Sequence, residues 1–196
     1  IFKDLENKQL KGIVYYDGGA RSIYNSVRPI NKPEDLKGLK IRVMPSQVMI
    51  KTIEAFEAIP TTTTFAEVYS ALQTKVIDGA ENSPISLLTM KHCEVAKYFS
   101  LDEHMRIPDM MVMSLKKWNE MPEDIQQAIM DAAKASQEYQ IKAWAKFEEE
   151  TMEELKTQGV EINTVDQAAF AKVVEPLIDE LKPQFNGLIE KIQELQ

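Results

Sequence analysis

Short stretches in which apolar residues occupy alternate positions recur along the chain and predict β-strands. In the segment 40–44, Ile41 and Val43 fall on one face of a strand and Arg42 on the other. Further extended segments are expected at 12–16, 21–24, 60–64, 77–82, 95–101, 110–115 and 160–162. The Met-rich run at 110–113 is expected to fill a core.

Segments with helical spacing of apolar residues alternate with these strands. Helices are expected at 2–9, 33–38, 46–57 with Ser46 as the N-cap, 66–75, from Pro84 onward, at 122–158, and from 166 onward with a break at Pro183. The pattern at 122–158 is far longer than a typical globular helix and ends at Gly159. Alternating strands and helices predict an α/β fold.

Composition narrows the classes of protein to which the chain can belong. Its 196 residues are 44% hydrophobic, which is enough for a packed core, and its net charge of −8 argues against a nucleic-acid partner. An acidic protein can still hold an anion in a basic cleft. The single Cys93 excludes an intrachain disulfide, and the apolar runs are too short for membrane insertion. The start at Ile1 is expected to reflect a processed or truncated N-terminus.

Arginine is rare in this chain, so each arginine is a candidate for a specific role. There are four, at positions 21, 28, 42 and 106, and lysines supply the remaining positive charge. Arg42 precedes a helix start and Arg21 follows a Gly-Gly turn. A guanidinium binds a carboxylate through two parallel hydrogen bonds, so both residues are candidate ligand contacts. The alternative is that both form structural salt bridges with Asp or Glu.

Two other segments carry candidate binding residues. Phe65 lies at a strand-to-helix junction, where α/β proteins often place a ligand, but the position by itself favours an ordinary core aromatic. Asn82 can both donate and accept hydrogen bonds, which suits a hydroxylated acid, although Asn-Ser-Pro is also a common helix entry.

Catalytic chemistry finds little support. Asp78 and Glu81 could serve as paired carboxylates, with one of them as a general base. There is, however, no motif for an activated nucleophile, and His92, Cys93 and His104 lack metal-ligand spacing. Neither a metal nor a cofactor is expected.

Three motifs, in order, identify a family resemblance. They are KPEDLKGLKIRV at 32–43, FAEVYSALQT at 65–74 and VIDGAEN at 76–82. With these segments the chain resembles the DctP-type solute-binding subunits of tripartite ATP-independent periplasmic (TRAP) transporters. The resemblance covers nearly the whole chain.

The resemblance implies an α/β fold of the two-lobed periplasmic binding-protein type, class II-like, with a long helix spanning both lobes. It implies that Arg42 pairs with the ligand carboxylate and that Arg21 lies in the same cleft. Phe65, Asn82 and Glu81 would line the site.

The resemblance also implies a division of the chain between lobes. Residues 1–19 would end the N-terminal lobe and cross over, and 20–105 would form the C-terminal ligand-binding lobe. Residues 106–147 would return to the N-terminal lobe with the long helix, and 148–196 would complete the C-terminal lobe. Most of the N-terminal lobe is expected to be missing from this chain.

The function implied is capture of a small organic acid in the periplasm and its delivery to membrane permease subunits, without catalysis. A sugar acid such as a hexuronate is favoured by the polar residues around Arg21 and Asn82. The alternatives are a C4-dicarboxylate or another carboxylate, a carboxylate-based enzyme using Asp78 or Glu81, and a helical interaction module built on the long helix.

Overall fold

The computed structural model describes residues 2–185 and 187–194. Two compact units make up the chain. Unit 1 comprises Ile1–Ala20 and Arg106–Glu153, and unit 2 comprises Arg21–Met105 and Glu154–Gln196.

Eight strands and eight α-helices are described. The strands are β1 Leu10–Tyr16, β2 Ala20–Asn25, β3 Lys40–Val43, β4 Ile59–Thr62, β5 Gly79–Asn82, β6 Tyr98–Arg106, β7 Asp109–Ser114 and β8 Glu161–Thr164. The α-helices are α1 Phe2–Glu6, α2 Gln47–Ala55, α3 Val68–Gln73, α4 Pro84–Thr89, α5 Leu115–Asn119, α6 Glu123–Thr157, α7 Gln167–Leu181 and α8 Leu188–Gln193. Short 3-10 helices occupy Pro33–Leu36, Phe65–Glu67, His92–Glu94 and Lys182–Phe185.

The predicted α/β pattern is confirmed, and most boundaries differ by only a few residues. The long helix is 35 residues, close to the predicted 122–158. Ser46 does stand at the N-cap of α2, but its side chain makes no capping hydrogen bond, so this part of the prediction is wrong. None of the described helices carries an apolar stretch long enough to cross a membrane.

A six-stranded mixed sheet forms the centre of unit 2. Its strand order is β4-β3-β5-β2-β6-β8, with β3 parallel to both β4 and β5 and β2 antiparallel to β5. Helices α2 and α7 contribute to its main apolar core, where the rings of Phe56 and Phe170 meet edge to face at 5.2 Å. This core fixes the central strands, which carry four of the five candidate ligand residues.

Unit 1 is built on a smaller sheet. Strands β1 and β7 pair antiparallel, and a small core forms around Ile13, Val14, Trp118 and Ala133. The prediction that the Met-rich run at 110–113 fills a core is wrong for most of its length. Met110, Met111 and Val112 are each about 40% exposed, because a two-stranded sheet leaves much of its surface uncovered by the residues described.

Four charged side chains form a continuous row inside unit 2, here called the buried charge row: Arg21, Glu81, His104 and Asp102. Arg21 Nε lies 2.6 Å from Glu81 Oε2, and His104 Nδ1 lies 2.7 Å from Asp102 Oδ2. His104 Nε2 lies 3.6 Å from Glu81 Oε2, which is within ion-pairing range but longer than a hydrogen bond. Asp102 Oδ1 also accepts the backbone N–H of Ile23 at 3.0 Å. The row therefore links β2, β5 and β6.

Opposite charges determine protonation along this row. Burial alone would lower the pKa of His104, but the charge and hydrogen bond of Asp102, together with Glu81, outweigh burial and raise that pKa to about 9. Burial would raise the pKa of Glu81, but His104 and Arg21 hold it below its usual value. At neutral pH the row therefore contains two cations and two anions.

The raised pKa of His104 gives a pH prediction for stability. Protonated His104 stabilises the fold fully below its unfolded pKa of 6.5, and the contribution is lost as the pH rises through about 9. The expected loss is about 3 kcal/mol of unfolding free energy at most. Urea denaturation from about pH 6 to about pH 10 should therefore show a steeper fall in the wild type than in His104→Gln. Parallel pH profiles for the two proteins would contradict the assignment.

Candidate functional site

Arg42 occupies the middle of unit 2, on strand β3. It is only 4% exposed, and its Nε and Nη2 donate to the carbonyl oxygen of Thr63 at 3.0 and 2.8 Å. Its Cζ lies 5.7 Å from the centroid of the Phe65 ring, within the range of a cation–π interaction. These contacts fix the plane of the guanidinium group.

The described residues place no counter-ion against the guanidinium of Arg42. Within the described part of the chain, no carboxylate forms an ion pair with Arg42, and its Nη1 has no hydrogen-bond partner. Burial lowers the pKa of Arg42 and nearby Arg21 adds to this effect, whereas the charge of Glu81 opposes it. Arg42 is thus a buried cation with no ion-pair partner among the residues described.

Arg21 is in the opposite situation. Its Nε and Nη2 grip Glu81 Oε2 and Oε1 at 2.6 and 2.9 Å, in the two-pronged geometry that the sequence suggested for a ligand carboxylate. Nη2 also donates to the Glu81 carbonyl at 2.9 Å, and the Glu81 side chain is fully buried. The sequence left open a structural salt bridge for both arginines. Arg21 forms one with Glu81, whereas Arg42 forms none with the residues described.

The orientation of Asn82 follows from these neighbours. Its Oδ1 accepts from Arg21 Nη1 at 3.2 Å and from the backbone N–H of Ser83 at 2.8 Å. The amide Nδ2 is left as a donor with no partner among the residues that the structure describes. Strand register places Arg42 beside Ala80, two positions from Asn82, so both side chains lie on one face of the sheet.

Phe65 is not a core aromatic. Its side chain lies in the 3-10 turn that follows β4 and is 36% exposed. Glu67 secures this turn by accepting hydrogen bonds from the backbone N–H and hydroxyl of Thr64 at 3.1 and 2.7 Å. Phe65 is therefore held in a defined turn beside Arg42 and is partly exposed there.

Two buried residues behind Phe65 were not identified from the sequence. Tyr24 Oη and His92 Nδ1 lie 2.7 Å apart, and both residues are fully buried. The His92 ring meets the Phe65 ring edge to face at 5.7 Å. The sequence was searched for metal-ligand spacing around His92. Its pairing with Tyr24 could not be found from spacing, because the two residues are 68 positions apart.

The arrangement does not favour the enzymatic alternative. Glu81 is ionised and gripped by Arg21, and the carboxylate of Asp78 accepts the backbone N–H of Lys40 at 2.8 Å. A general base working near neutral pH requires a raised carboxyl pKa, which Glu81 does not have. No group of His, Cys, Asp and Glu side chains suited to a metal ion occurs among the described residues.

Comparison with known proteins assigns the chain to a family. The model of the family described as bacterial extracellular solute-binding protein, family 7 (DctP), matches residues 1–184. The 2,3-diketo-L-gulonate-binding periplasmic protein YiaO of Escherichia coli is 34% identical over 98% of this chain and 60% of its own length. The chain spans 57–60% of the length of this and similar curated relatives.

Solved structures agree with the sequence match. A TRAP periplasmic solute-binding protein from Sulfitobacter, with bound β-D-galacturonate, is 40% identical with a TM-score of 0.91 over 96% of this chain and 64% of that one. The protein from Chromohalobacter salexigens, with bound D-glucuronate, is 34% identical with a TM-score of 0.95 over 100% of this chain and 66% of that one. The predicted periplasmic binding-protein fold is thereby confirmed.

These relatives are binding proteins and not enzymes, which confirms the prediction at the level of the family. The motif at 32–43 that contains Arg42, and those at 65–74 and 76–82, all fall within the matched residues. The chain belongs to the DctP family of bacterial extracellular solute-binding proteins, the family of the TRAP transporters' binding subunits.

Proposed function

We propose that this chain is the ligand-clamping part of a periplasmic protein that captures a hexuronate and delivers it to a TRAP permease. The observation that carries the proposal is the buried guanidinium of Arg42, which has no carboxylate partner among the described residues. Removing a charge from water costs several kcal/mol unless a counter-ion compensates. A ligand carboxylate would supply that counter-ion.

The charge balance of the site favours a ligand with one carboxylate. Arg42 is the one cation near the site that the described residues leave without a counter-ion, because Glu81 already neutralises Arg21. A C4-dicarboxylate would bring a second negative charge close to the Glu81 carboxylate. A hexuronate brings a single charge, and its remaining polar groups are neutral hydroxyls.

The other groups at the site suit a sugar ring. Asn82 Nδ2, which has no partner among the described residues, is a donor for a ring or carboxylate oxygen, and the partly exposed Phe65 offers an apolar surface to C–H groups. The bound galacturonate and glucuronate of the two related structures are acids of this class. Capture would require no bond making, and the ligand would be released unchanged.

The lobes of the complete protein are also part of this proposal. Residues 20–105 and 148–196 would form the ligand-binding lobe, and residues 1–19 and 106–147 would belong to the other lobe. Closure of the lobes would exclude water from Arg42 and strengthen its pairing with the carboxylate. The permease subunits would reopen the closed form.

A thermal-shift screen tests the ligand class. In the full-length protein that carries this chain, D-glucuronate and D-galacturonate should raise the melting temperature more than succinate at equal concentration, because binding of the native state alone stabilises it. A larger shift with succinate would contradict the charge argument. No shift with any organic acid would contradict the proposed function itself.

Substitution of Arg42 tests the anchor. Arg42→Ala should weaken D-glucuronate binding by about 2–5 kcal/mol, and Arg42→Lys should also lose affinity because it keeps the charge but not the planar donor pair. Calorimetry measures both. Arg28→Ala is the matched control, since Arg28 is exposed and its described side-chain hydrogen bonds go to the backbone carbonyls of Asp35 and Lys37. Normal affinity in Arg42→Ala would remove Arg42 from the site.

Asn82 gives a smaller expected effect. Asn82→Ala removes the free Nδ2 donor and should weaken D-glucuronate binding by about 1–3 kcal/mol, the cost of an unmade buried hydrogen bond. Unchanged calorimetric affinity would show that the amide serves only Arg21 and Ser83.

A further inference from the structure

A pair of buried polar side chains, Tyr24 and His92, adjoins Phe65. Tyr24 lies on β2, and His92 lies in the 3-10 turn His92–Glu94 that follows α4. One hydrogen bond is described for these two side chains, and it joins Tyr24 Oη to His92 Nδ1 at 2.7 Å. His92 Nε2 is buried and has no partner among the described residues. Burying polar groups costs desolvation free energy that apolar side chains at the same positions would not cost. A buried polar pair of this kind therefore suggests a specific role.

The protonation of this pair follows from its surroundings. Burial and the charge of Glu81 raise the pKa of Tyr24 despite the opposing effect of Arg42 and Arg21, so the phenol keeps its proton. The hydroxyl then donates to His92 Nδ1, which is the acceptor nitrogen, and the imidazole proton lies on Nε2. Burial and the nearby charge of Arg42 lower the pKa of His92 to about 4, so the ring is neutral at neutral pH.

The contacts of His92 continue directly to the ligand anchor. Its ring meets Phe65 at 5.7 Å with an interplanar angle of 76°, and Phe65 in turn lies 5.7 Å from Arg42 Cζ. Phe65 belongs to a three-residue turn and is 36% exposed, and its one described ring–ring contact is with His92. His92 is therefore the buried ring that can hold the plane of Phe65. The order of contacts is Tyr24, His92, Phe65 and Arg42.

We propose that His92 is a positioning residue of the ligand site: held by Tyr24 in one tautomer, it fixes the Phe65 ring beside Arg42 and so sets the affinity for a ring-bearing acid. This inference rests on the proposed function. It predicts that His92 acts through Phe65 and not by touching the ligand. Loss of His92 should therefore matter only while Phe65 is present.

A double-mutant cycle measured by calorimetry with D-glucuronate tests this dependence in the full-length protein. Tyr24→Phe and His92→Leu should each weaken binding by about three- to ten-fold, since aromatic pair contacts contribute about 0.5–1.5 kcal/mol. In a Phe65→Ala background the same two substitutions should change affinity by less than about two-fold. Ile53→Val, in the core cluster of unit 2, is the control for general destabilisation and should not change affinity.

Several outcomes would overturn the inference. Normal affinity in both Tyr24→Phe and His92→Leu would do so, as would an equal loss of affinity with and without Phe65.

Nitrogen NMR of the His92 ring provides a test independent of ligand. It should show a protonated Nε2 and an unprotonated Nδ1, and a proton on Nδ1 would contradict the tautomer. If the wild-type full-length protein binds no organic acid, the proposed function fails. If the wild type binds D-glucuronate and the His92 variants bind it equally well, this inference alone is rejected.

Discussion

The placement of one uncompensated positive charge inside unit 2 governs the rest of the site. Arg42 is buried on a central strand, and the protein supplies a carbonyl oxygen and an aromatic ring to it, but no anion among the described residues. Carbonyl dipoles and a π face orient a guanidinium without cancelling its charge. Under the proposed function, the site is ready for an anion before the ligand binds, and its geometry is fixed by backbone and ring contacts.

The buried charge row makes that preparation specific. Arg21, Glu81, His104 and Asp102 alternate in sign, so the row holds a second arginine near the site without adding net charge. Arg21, which is paired with Glu81, also orients Asn82, and the Asn82 amide donor has no partner among the residues described. In the proposed site the two arginines would have different roles: Arg42 would supply a positive charge to the ligand, and Arg21 would position a neutral donor. This division favours a ligand with one carboxylate and several hydroxyls.

The sequence allowed helices, strands and motifs to be predicted better than contacts between side chains that are distant in the chain. The strand at 40–44 and the helix at 122–158 follow from local periodicity, which is a property of neighbouring residues. The pairing of Arg21 with Glu81 depends on strand register across 60 positions, and spacing alone left it open for both arginines. The exposure of Phe65 and the roles of His92 and His104 depend on long-range packing in the same way. The Met-rich run at 110–113 was misassigned because apolar composition does not reveal how many strands a sheet has or which residues pack on its faces.

The central claim is that Arg42 binds the ligand through its carboxylate, and a comparison of two ligands across two proteins measures that pairing directly. Calorimetry would be run with D-glucuronate and with its uncharged amide, D-glucuronamide, on the full-length wild type and on Arg42→Ala. The wild type should prefer the acid by about 2 kcal/mol or more, since a desolvated charge pair is worth that much, and Arg42→Ala should lose most of the preference. An equal preference for the acid in both proteins would contradict the account and place the carboxylate elsewhere.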